Sequence, residues 1–419
     1  MLFSVAEHEE SRDSQLALPR ADQSARGCDA ARSDRDSTLM HVAVVTTSFP
    51  FGFPGQDAAG TFVEDFAAEL AKQVEVTVIA PALAPSIEKG GRLEVIRFPV
   101  PTLPLSLLDP TRPSHWPLIV QTLWRGLRAV ERVAARGTLS WILALWVLPS
   151  GYWARHAARR RGIPYCSWAL GSDIWTLGRQ PVVRGQLRRV LRQSRLRFAD
   201  GAGLCRDVER LSGKSCLLLP SCRRLVAPRA RAPSVSPPYR LAFLGRWHPN
   251  KGVDLLFETL AMLCDEDWSR IEAVRVAGGG YLEELVRQRA GELTRAGRRV
   301  EIQGYLDRDQ AAALYDWADW VLIPSRVESV PLVFSDAMQA GRGVVVTPAG
   351  DLPDLVRRHG VGVVARAVEP AAYGEALRAA LDLDPASLGA GIERARAAFD
   401  VAASVSLFLG ALDREERGG

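Results

Sequence analysis

Short runs of β-branched and aliphatic residues alternate along this chain with longer stretches in which apolar residues return every three or four positions. The first run, His41 to Thr47, opens a series whose predicted strands cover 41–47, 74–80, 92–98, 140–147 and 164–169, with a weaker one near 216–219. Predicted helices lie between them near 61–72, 117–135, 150–161 and 182–197. A second series begins at Tyr239 to Arg246 and continues through strands near 272–277, 299–303, 319–324, 343–347 and 361–365. Its helices are expected near 251–264, 280–296, 307–317, 331–341 and 351–359. Such alternation builds parallel sheets covered on both faces. The expected fold class is α/β, with two doubly wound Rossmann-like domains facing a central cleft. Ligands bind such sheets at the C-terminal ends of the strands.

Five prolines crowd between Pro220 and Pro238 with no apolar period, so residues 223–238 read as a linker. It divides an N-terminal domain, 40–222, from a C-terminal domain, 239–395. Residues 396–419 are expected to form a helix returning toward the first domain. Residues 1–39 carry eight acids, five bases and no sustained apolar period, so they bury little. They read as a disordered leader or a mis-assigned start, and they lack the apolar core of a secretory signal.

The 419 residues suit two cores, and 47% hydrophobic with 24% charged residues exclude disorder, collagen and coiled coil as the main architecture. Of 53 basic residues only Lys72, Lys89, Lys214 and Lys251 are lysines, and Asn occurs once, at Asn250. That bias fits a GC-rich bacterial genome, and it gives each lysine extra weight. A net charge of +5 argues for no nucleic-acid partner. The six cysteines are scattered without a Cys-x-x-Cys pair, which fits a reduced cytoplasmic setting and no structural metal. No apolar run reaches the roughly 18–20 residues of a membrane span.

Two nucleotide-binding motifs fail on single residues. A dinucleotide fingerprint in Val276 to Val286 needs glycine where Glu283 stands, and a Walker loop ending in Gly213-Lys214-Ser215 needs glycine at Val208. More informative is Phe243 to Leu256, FLGRWHPNKGVDLL, where a strand ends at Gly245 and Arg246 and Lys251 flank a turn. Two cations at a strand end suit a diphosphate leaving group, or else a solvated loop before a helix. The stretch Pro324 to Val356 places Glu328 in a loop, Pro331 as the first helical residue and Asp336 eight positions after Glu328. That helix N-terminus offers free N–H groups to an anion, while Glu328 suits sugar hydroxyls. A bland reading is an acidic helix start and an exposed aspartate.

The block ESVPLVFSDAMQAGRGVVVTPAGDLPDLV, with LGRWHPNKGVDLL upstream and GYLDRDQAAALYDWADWVLIPS between, resembles the donor-binding domain of retaining glycosyltransferases of family four, which have the GT-B fold. GTFVEDFAAEL and LPSGYWARHAARRRGIPYCSWALGSDIW are similar to the acceptor-side domain of that family. The resemblance covers essentially all of 40–395. It implies that Arg246 and Lys251 stabilise the departing nucleotide diphosphate and that Glu328 contacts donor-sugar hydroxyls. Gly245 and the segment Ser329, Val330, Pro331, Leu332 and Val333 would line the diphosphate, and Gly60 would let the first domain approach it. Asp336 stands where the family has a ribose-binding glutamate, one methylene longer. Gly171 and Asp173 would face the reacting sugar, although Leu170 replaces a histidine common in relatives. The implied reaction needs no cofactor and no metal; the nucleotide sugar is the co-substrate. Asp265-Glu266-Asp267 and Asp307-Arg308-Asp309 read as surface acids at helix starts.

The implied partners are a nucleotide sugar and a glycan, glycolipid or lipid-linked acceptor of bacterial surface glycan synthesis. Between Ile174 and Ala199 there is no acid, and Arg184, Arg188, Arg192 and Arg195 fall within about 80° on a helical wheel. This stripe fits an anionic membrane surface, giving a peripheral position on the inner face of the plasma membrane, or a solvated face in an arginine-biased chain. The apolar, Trp-bearing stretch Pro99 to Trp124 favours the former, though Trp116 and Trp124 equally suit a core. The rival functions are a nucleotide-sugar epimerase of the same fold and a non-catalytic sugar-nucleotide binding protein. Deletion of residues 1–39 is expected to leave the unfolding midpoint and any activity unchanged.

Overall fold

The computed structural model describes residues 39–50, 60–102, 108, 112–225 and 231–418. The leader through Thr38 lies outside them, as do parts of the Gly60 loop, the Pro99 to Trp124 stretch and the linker. The first sheet contains β1 (His41–Val45), β2 (Glu75–Ala82), β3 (Ser86–Gly90), β4 (Leu93–Pro99), β5 (Trp141–Leu145), β6 (Tyr165–Ala169), β7 (Leu196–Ala199) and β8 (Leu217–Leu218). Their order is β3-β4-β2-β1-β5-β6-β7-β8, parallel except for the β3–β4 hairpin. Its helices are α1 (Thr61–Leu70), α2 (Trp116–Ala134), α3 (Ser150–Arg161), α4 (Ser172–Trp175), α5 (Pro181–Gln193) and α6 (Ala202–Ser212).

The second sheet has six parallel strands in the order β11-β10-β9-β12-β13-β14. These are β9 (Tyr239–Arg246), β10 (Ile271–Gly279), β11 (Val300–Gln303), β12 (Trp320–Ile323), β13 (Gly343–Val346) and β14 (Gly362–Val364). The surrounding helices are α7 (Val253–Ala261), α8 (Asp265–Ser269), α9 (Glu283–Arg295), α10 (Arg308–Trp317), α11 (Leu332–Gln339), α12 (Leu352–His359), α13 (Pro370–Leu381), α14 (Gly389–Ala398) and α15 (Val401–Gly418).

Central strands are apolar throughout because helices cover both faces. Every residue of β5, WILAL, is buried, as are Val42 to Val45 of β1. One face of the first sheet packs on α2, α3, α5 and α6, and the other on α1 and α15. Helix α15 thus seals the first sheet from the far end of the chain. Phe408 is fully buried there, with its ring 5.7 Å from Phe66 and 5.6 Å from Phe198.

The structure departs from the predicted elements at β3 and at the end of α5, among other places. The antiparallel edge strand β3, SIEKG, is exposed over four of its five residues, so no apolar period marked it. The helix expected over 182–197 stops at Gln193, where Ser194 turns extended (φ −63°, ψ 133°), and Leu196–Ala199 joins the sheet as β7. Leu187, Leu191 and Phe198 are buried in the core. Among the described residues no single helix is long and apolar enough to cross a membrane.

Truncation of Phe408 to Ala is predicted to cost about 3–5 kcal/mol, by loss of a fully buried ring and the cavity left behind. Urea unfolding of the purified chain measures it.

Candidate active site

Parallel strands deliver their C-terminal ends to one edge of each sheet, and the two edges meet. A Cβ on Gly171, after β6, would lie 3.8 Å from Ser329 Cβ, after β12. The Gly203 N–H, in the first turn of α6, donates to Asp351, which precedes α12, at 2.9 and 3.1 Å to its two carboxylate oxygens. Gly201 makes this approach possible, since a Cβ there would stand 2.4 Å from Asp351 Oδ2 and 2.5 Å from Ser329 Oγ. Elsewhere along the seam, Arg308 of α10 donates to Asp65 of α1 at 2.7 Å. The cleft therefore lies between the two sets of strand ends, with polar contacts across it.

On the second-domain side, the turn Pro249–Lys251 follows β9 and the loop carrying Glu328 follows β12. Gly252 (φ +69°) joins them: a Cβ there would sit 1.8 Å from the Pro324 carbonyl oxygen, so only glycine lets the turn rest on the loop. Arg326 fastens the same contact, donating to the Pro249 carbonyl and to Asp254, both at 2.7 Å. Lys251 Nζ then meets Glu328 Oε1 in an ion pair, and Ser325 Oγ donates to the same oxygen at 3.0 Å. Gly245, Lys251, Ser325, Glu328, Pro331 and Val333 line one small pocket.

Arg246 ends β9 beside this pocket, exposed and with no ion-pair partner among the described residues. The positive field of the turn shows in His248, whose imidazole is held below its ordinary pKa by partial burial first and then by Arg246 and Lys251. Pro331 is the N-cap of α11 and Leu332 its first residue, one position later than expected. The N–H groups of Leu332 and Val333 have no acceptor among the described residues, while Ser329 and Val330 are buried beneath them. Lys251, free helix-start N–H groups and one carboxylate thus converge, with Arg246 next in the chain to the lining residue Gly245: the cations and N–H groups suit an anion, and the carboxylate suits hydroxyls.

Four expected site residues are placed otherwise. Asp336 does not face the cleft: it is fully buried on α11, with Arg223 Nε donating to Oδ1 at 3.0 Å, Arg223 Nη2 to Oδ2 at 2.5 Å and the Tyr315 hydroxyl to Oδ2 at 3.2 Å. Its carboxylate neutralises a buried guanidinium and is not free for a ribose. Asp173 is also enclosed, accepting from the N–H groups of Val147 at 2.7 Å, Leu170 at 3.3 Å and Ile174 at 3.1 Å. It braces the loop that carries Gly171, and burial raises its pKa against those N–H groups. Gly60 is required by its own chain, since a Cβ would fall 2.7 Å from the Phe49 carbonyl carbon. Arg195 lies beyond the end of α5 and pairs with Glu415 at 2.6 Å, while Arg184, Arg188 and Arg192 are exposed on the helix. Asp267 pairs with Arg378 at 3.0 Å and Asp307 caps α10, so both acidic triplets serve helix starts.

Two cleft residues carried no signal in the sequence. Asp200, at the end of β7, is fully enclosed; Oδ2 accepts from Ser221 at 3.3 Å and Oδ1 makes no hydrogen bond. Burial first, and the nearby charges of Asp173 and Glu328, push its carboxyl up to about 7 against the neighbouring Ser329 and Ser221 hydroxyls. Trp146, just past β5, holds a left-handed backbone (φ +63°) with its ring 6.0 Å from Phe62. Such an outlier on a tryptophan is costly and belongs with loops fixed for a purpose. A larger hollow of about 490 Å³, lined by Trp141, Tyr165, Arg195 and Glu415, lies at the opposite, N-terminal ends of β5 and β6, away from these groups.

Residues 238–382 match the family model described as glycosyl transferases group 1. The D-inositol 3-phosphate glycosyltransferase 1 of Catenulispora acidiphila is 32% identical over 168 residues, which are 39% of this chain and 40% of that protein. The D-inositol 3-phosphate glycosyltransferase of Mycolicibacterium gilvum is 34% identical over 166 residues, 40% of this chain and 36% of that protein. The chain thus spans about two fifths of the length of these curated relatives. Among solved structures, sucrose-phosphate synthase from Thermosynechococcus elongatus superposes with a TM-score of 0.73 at 20% identity, covering 90% of this chain and 99% of that one. Anabaena HepE in complex with UDP-glucose superposes with a TM-score of 0.61 at 16% identity, over 90% and 100% of the two chains.

Two predictions separate structural from ligand roles. Asp336→Ala strands a buried guanidinium and should cost about 3–5 kcal/mol of stability in chemical denaturation, whereas a ribose ligand would cost little. For Asp200, the unfolded carboxyl loses its proton near 3.8 and the folded one near 7. Stability is therefore lost as pH rises from 4 to 7 and stays lost above it. Asp200→Asn should melt higher than wild type at pH 8, with the gap narrowing toward pH 4. The strand-end cleft, its cations and the matched segment agree: residues 238–382 match a glycosyl transferases group 1 domain, within a chain that has the GT-B fold.

Proposed function

We propose that the protein is a retaining glycosyltransferase that moves a sugar from a nucleotide-diphosphate donor to a glycan, glycolipid or lipid-linked acceptor of the bacterial surface. The observation that carries this reading is the Lys251–Glu328 pair beneath the unpaired Arg246 and the open start of α11. A diphosphate seated there meets two cations and the Leu332 and Val333 N–H groups. Lys251 exchanges part of its contact with Glu328 for phosphate oxygens, and Glu328 turns its acceptor capacity to sugar hydroxyls.

In the reaction the bond from the anomeric carbon to the phosphate oxygen breaks and the acceptor oxygen bonds that carbon from the same face. The acceptor proton passes to the departing phosphate. Charge grows on the diphosphate as the bond opens, so Arg246 and Lys251 act most strongly in the transition state. Asp173 and Asp200 are both buried, and in this reading the donor phosphate is the proton acceptor. The nucleotide sugar is the co-substrate, and the two side-chain cations do the work that a metal ion does at other diphosphate sites. The inositol phosphate named in the curated relatives supplies a second reading for the acceptor, a soluble phosphorylated polyol.

Arg246→Ala and Lys251→Ala are each predicted to lower kcat by about 10²–10³, comparable to loss of one oxyanion donor, in a coupled assay of nucleotide release. Activity should survive EDTA, and NMR of the product should show the donor's anomeric configuration retained. Wild-type turnover in both variants would remove the diphosphate assignment, and release of donor epimer without acceptor would favour the epimerase.

A further inference from the structure

Helices α2, α3 and α5 lie side by side on one face of the first sheet and carry eleven arginines against a single acid, Glu131. Glu131 is taken by His156 at 2.9 Å and Arg160 at 3.0 Å. Arg128, Arg184, Arg188 and Arg192 are exposed and have no acidic partner among the described residues. A chain whose net charge is only +5 therefore concentrates its basic excess on one outer surface.

The same surface has an apolar border. Val120 and Trp124 of α2 are each 55% exposed and Val182 of α5 is 82% exposed, with Leu123 and Tyr152 also open to solvent. Arg128 lies over the Trp124 ring, 5.3 Å from its centroid. Helix α2 connects β4 to β5, α3 connects β5 to β6 and α5 lies between β6 and β7, all parallel strands, so each runs back from the C-terminal strand ends and its first turn lies toward the cleft edge of the sheet. Val120, Leu123 and Trp124 fall in the first half of α2, Tyr152 in the first turn of α3 and Val182 in that of α5. The apolar border is thus on the cleft side, and the arginines continue along the helices away from it. In the structure α5 supplies charge and α2 supplies most of the apolar surface.

We propose that the α2–α3–α5 face docks on an anionic membrane surface, with Val120, Leu123 and Trp124 entering the interface and the arginines holding lipid headgroups. The occupant is a bilayer because the charge is spread over three helices with no acid left free, and because tryptophan and aliphatic side chains beside arginine suit the headgroup boundary. Resting on the transferase reading, the inference names its acceptor as membrane-held: an acceptor anchored in that bilayer reaches the cleft along the apolar border.

The test is co-sedimentation of the full chain with phosphatidylcholine vesicles that do or do not contain an equal share of phosphatidylglycerol. Wild type is expected to sediment with the anionic vesicles at low salt, to release as salt shortens the range of the charges, and to ignore the neutral ones. The triple variants Val120→Ser/Leu123→Ser/Trp124→Ser and Arg128→Glu/Arg188→Glu/Arg192→Glu should each bind at least tenfold less. Both should keep the wild-type melting temperature, since every altered side chain is exposed. Wild type that stays in the supernatant at low salt, equal binding to neutral vesicles, or folded variants that bind like wild type would overturn the proposal in favour of a solvated face or a protein partner. None of these outcomes bears on nucleotide-sugar turnover, which is assayed without vesicles on a water-soluble acceptor.

Discussion

The ion pair between Lys251 and Glu328 joins two loops from different strands, and the geometry of the pocket between them depends on it. Each loop leaves its sheet at a C-terminal strand end, and neither would hold its charged residue in place alone. Gly252 lets the turn settle on the Pro324 carbonyl, and Arg326 ties it down. Lysine pairs with the carboxylate and serine donates to it, which lessens its repulsion of an anion bound beside it. On the proposed reading, a diphosphate arriving there finds its cations in position, and so little reorganisation remains for the moment of bond breaking.

The second constraint is closure between domains. The Arg308–Asp65 pair, the Asp351–Gly203 bond and the buried Arg223–Asp336 pair connect first domain, linker and second domain at separate points. Helix α15 adds a covalent return path, since the chain leaves the second domain and packs on α1. Around this seam Asp173 and Asp200 are enclosed near Glu328, and the charge of one raises the proton affinity of another. The acids that sequence reasoning could assign to substrate are therefore of two kinds. Glu328 is held by side chains that a ligand can replace, whereas Asp173 and Asp336 are held by groups that the fold itself needs.

Much of the architecture was legible because buried parallel strands read as continuous apolar runs, as in WILAL and HVAVV. Lys251 stood out through lysine scarcity, and Glu328 through its place between a strand and a proline-led helix. What escaped the sequence depended on partners distant along the chain. Asp336 is bound by Arg223, more than a hundred residues away, and no spacing rule reveals that pairing. Gly60 is explained by its own neighbour Phe49, and Arg195 by Glu415 near the C-terminus. The exposed edge strand β3 and the early end of α5 had no apolar period to mark them. Asp200 looks like an ordinary loop acid until the second domain covers it.

The central claim is that the Lys251–Glu328 pocket is the seat of a sugar-nucleotide diphosphate. Thermal unfolding across a panel of sugar nucleotides tests it most directly, because a ligand bound only by the folded chain raises stability as RT ln(1 + [L]/Kd). At least one nucleoside diphosphate sugar is predicted to raise the melting temperature of the wild type, and Lys251→Ala should abolish that rise. No shift with any of them, or an undiminished shift in the variant, would contradict the account.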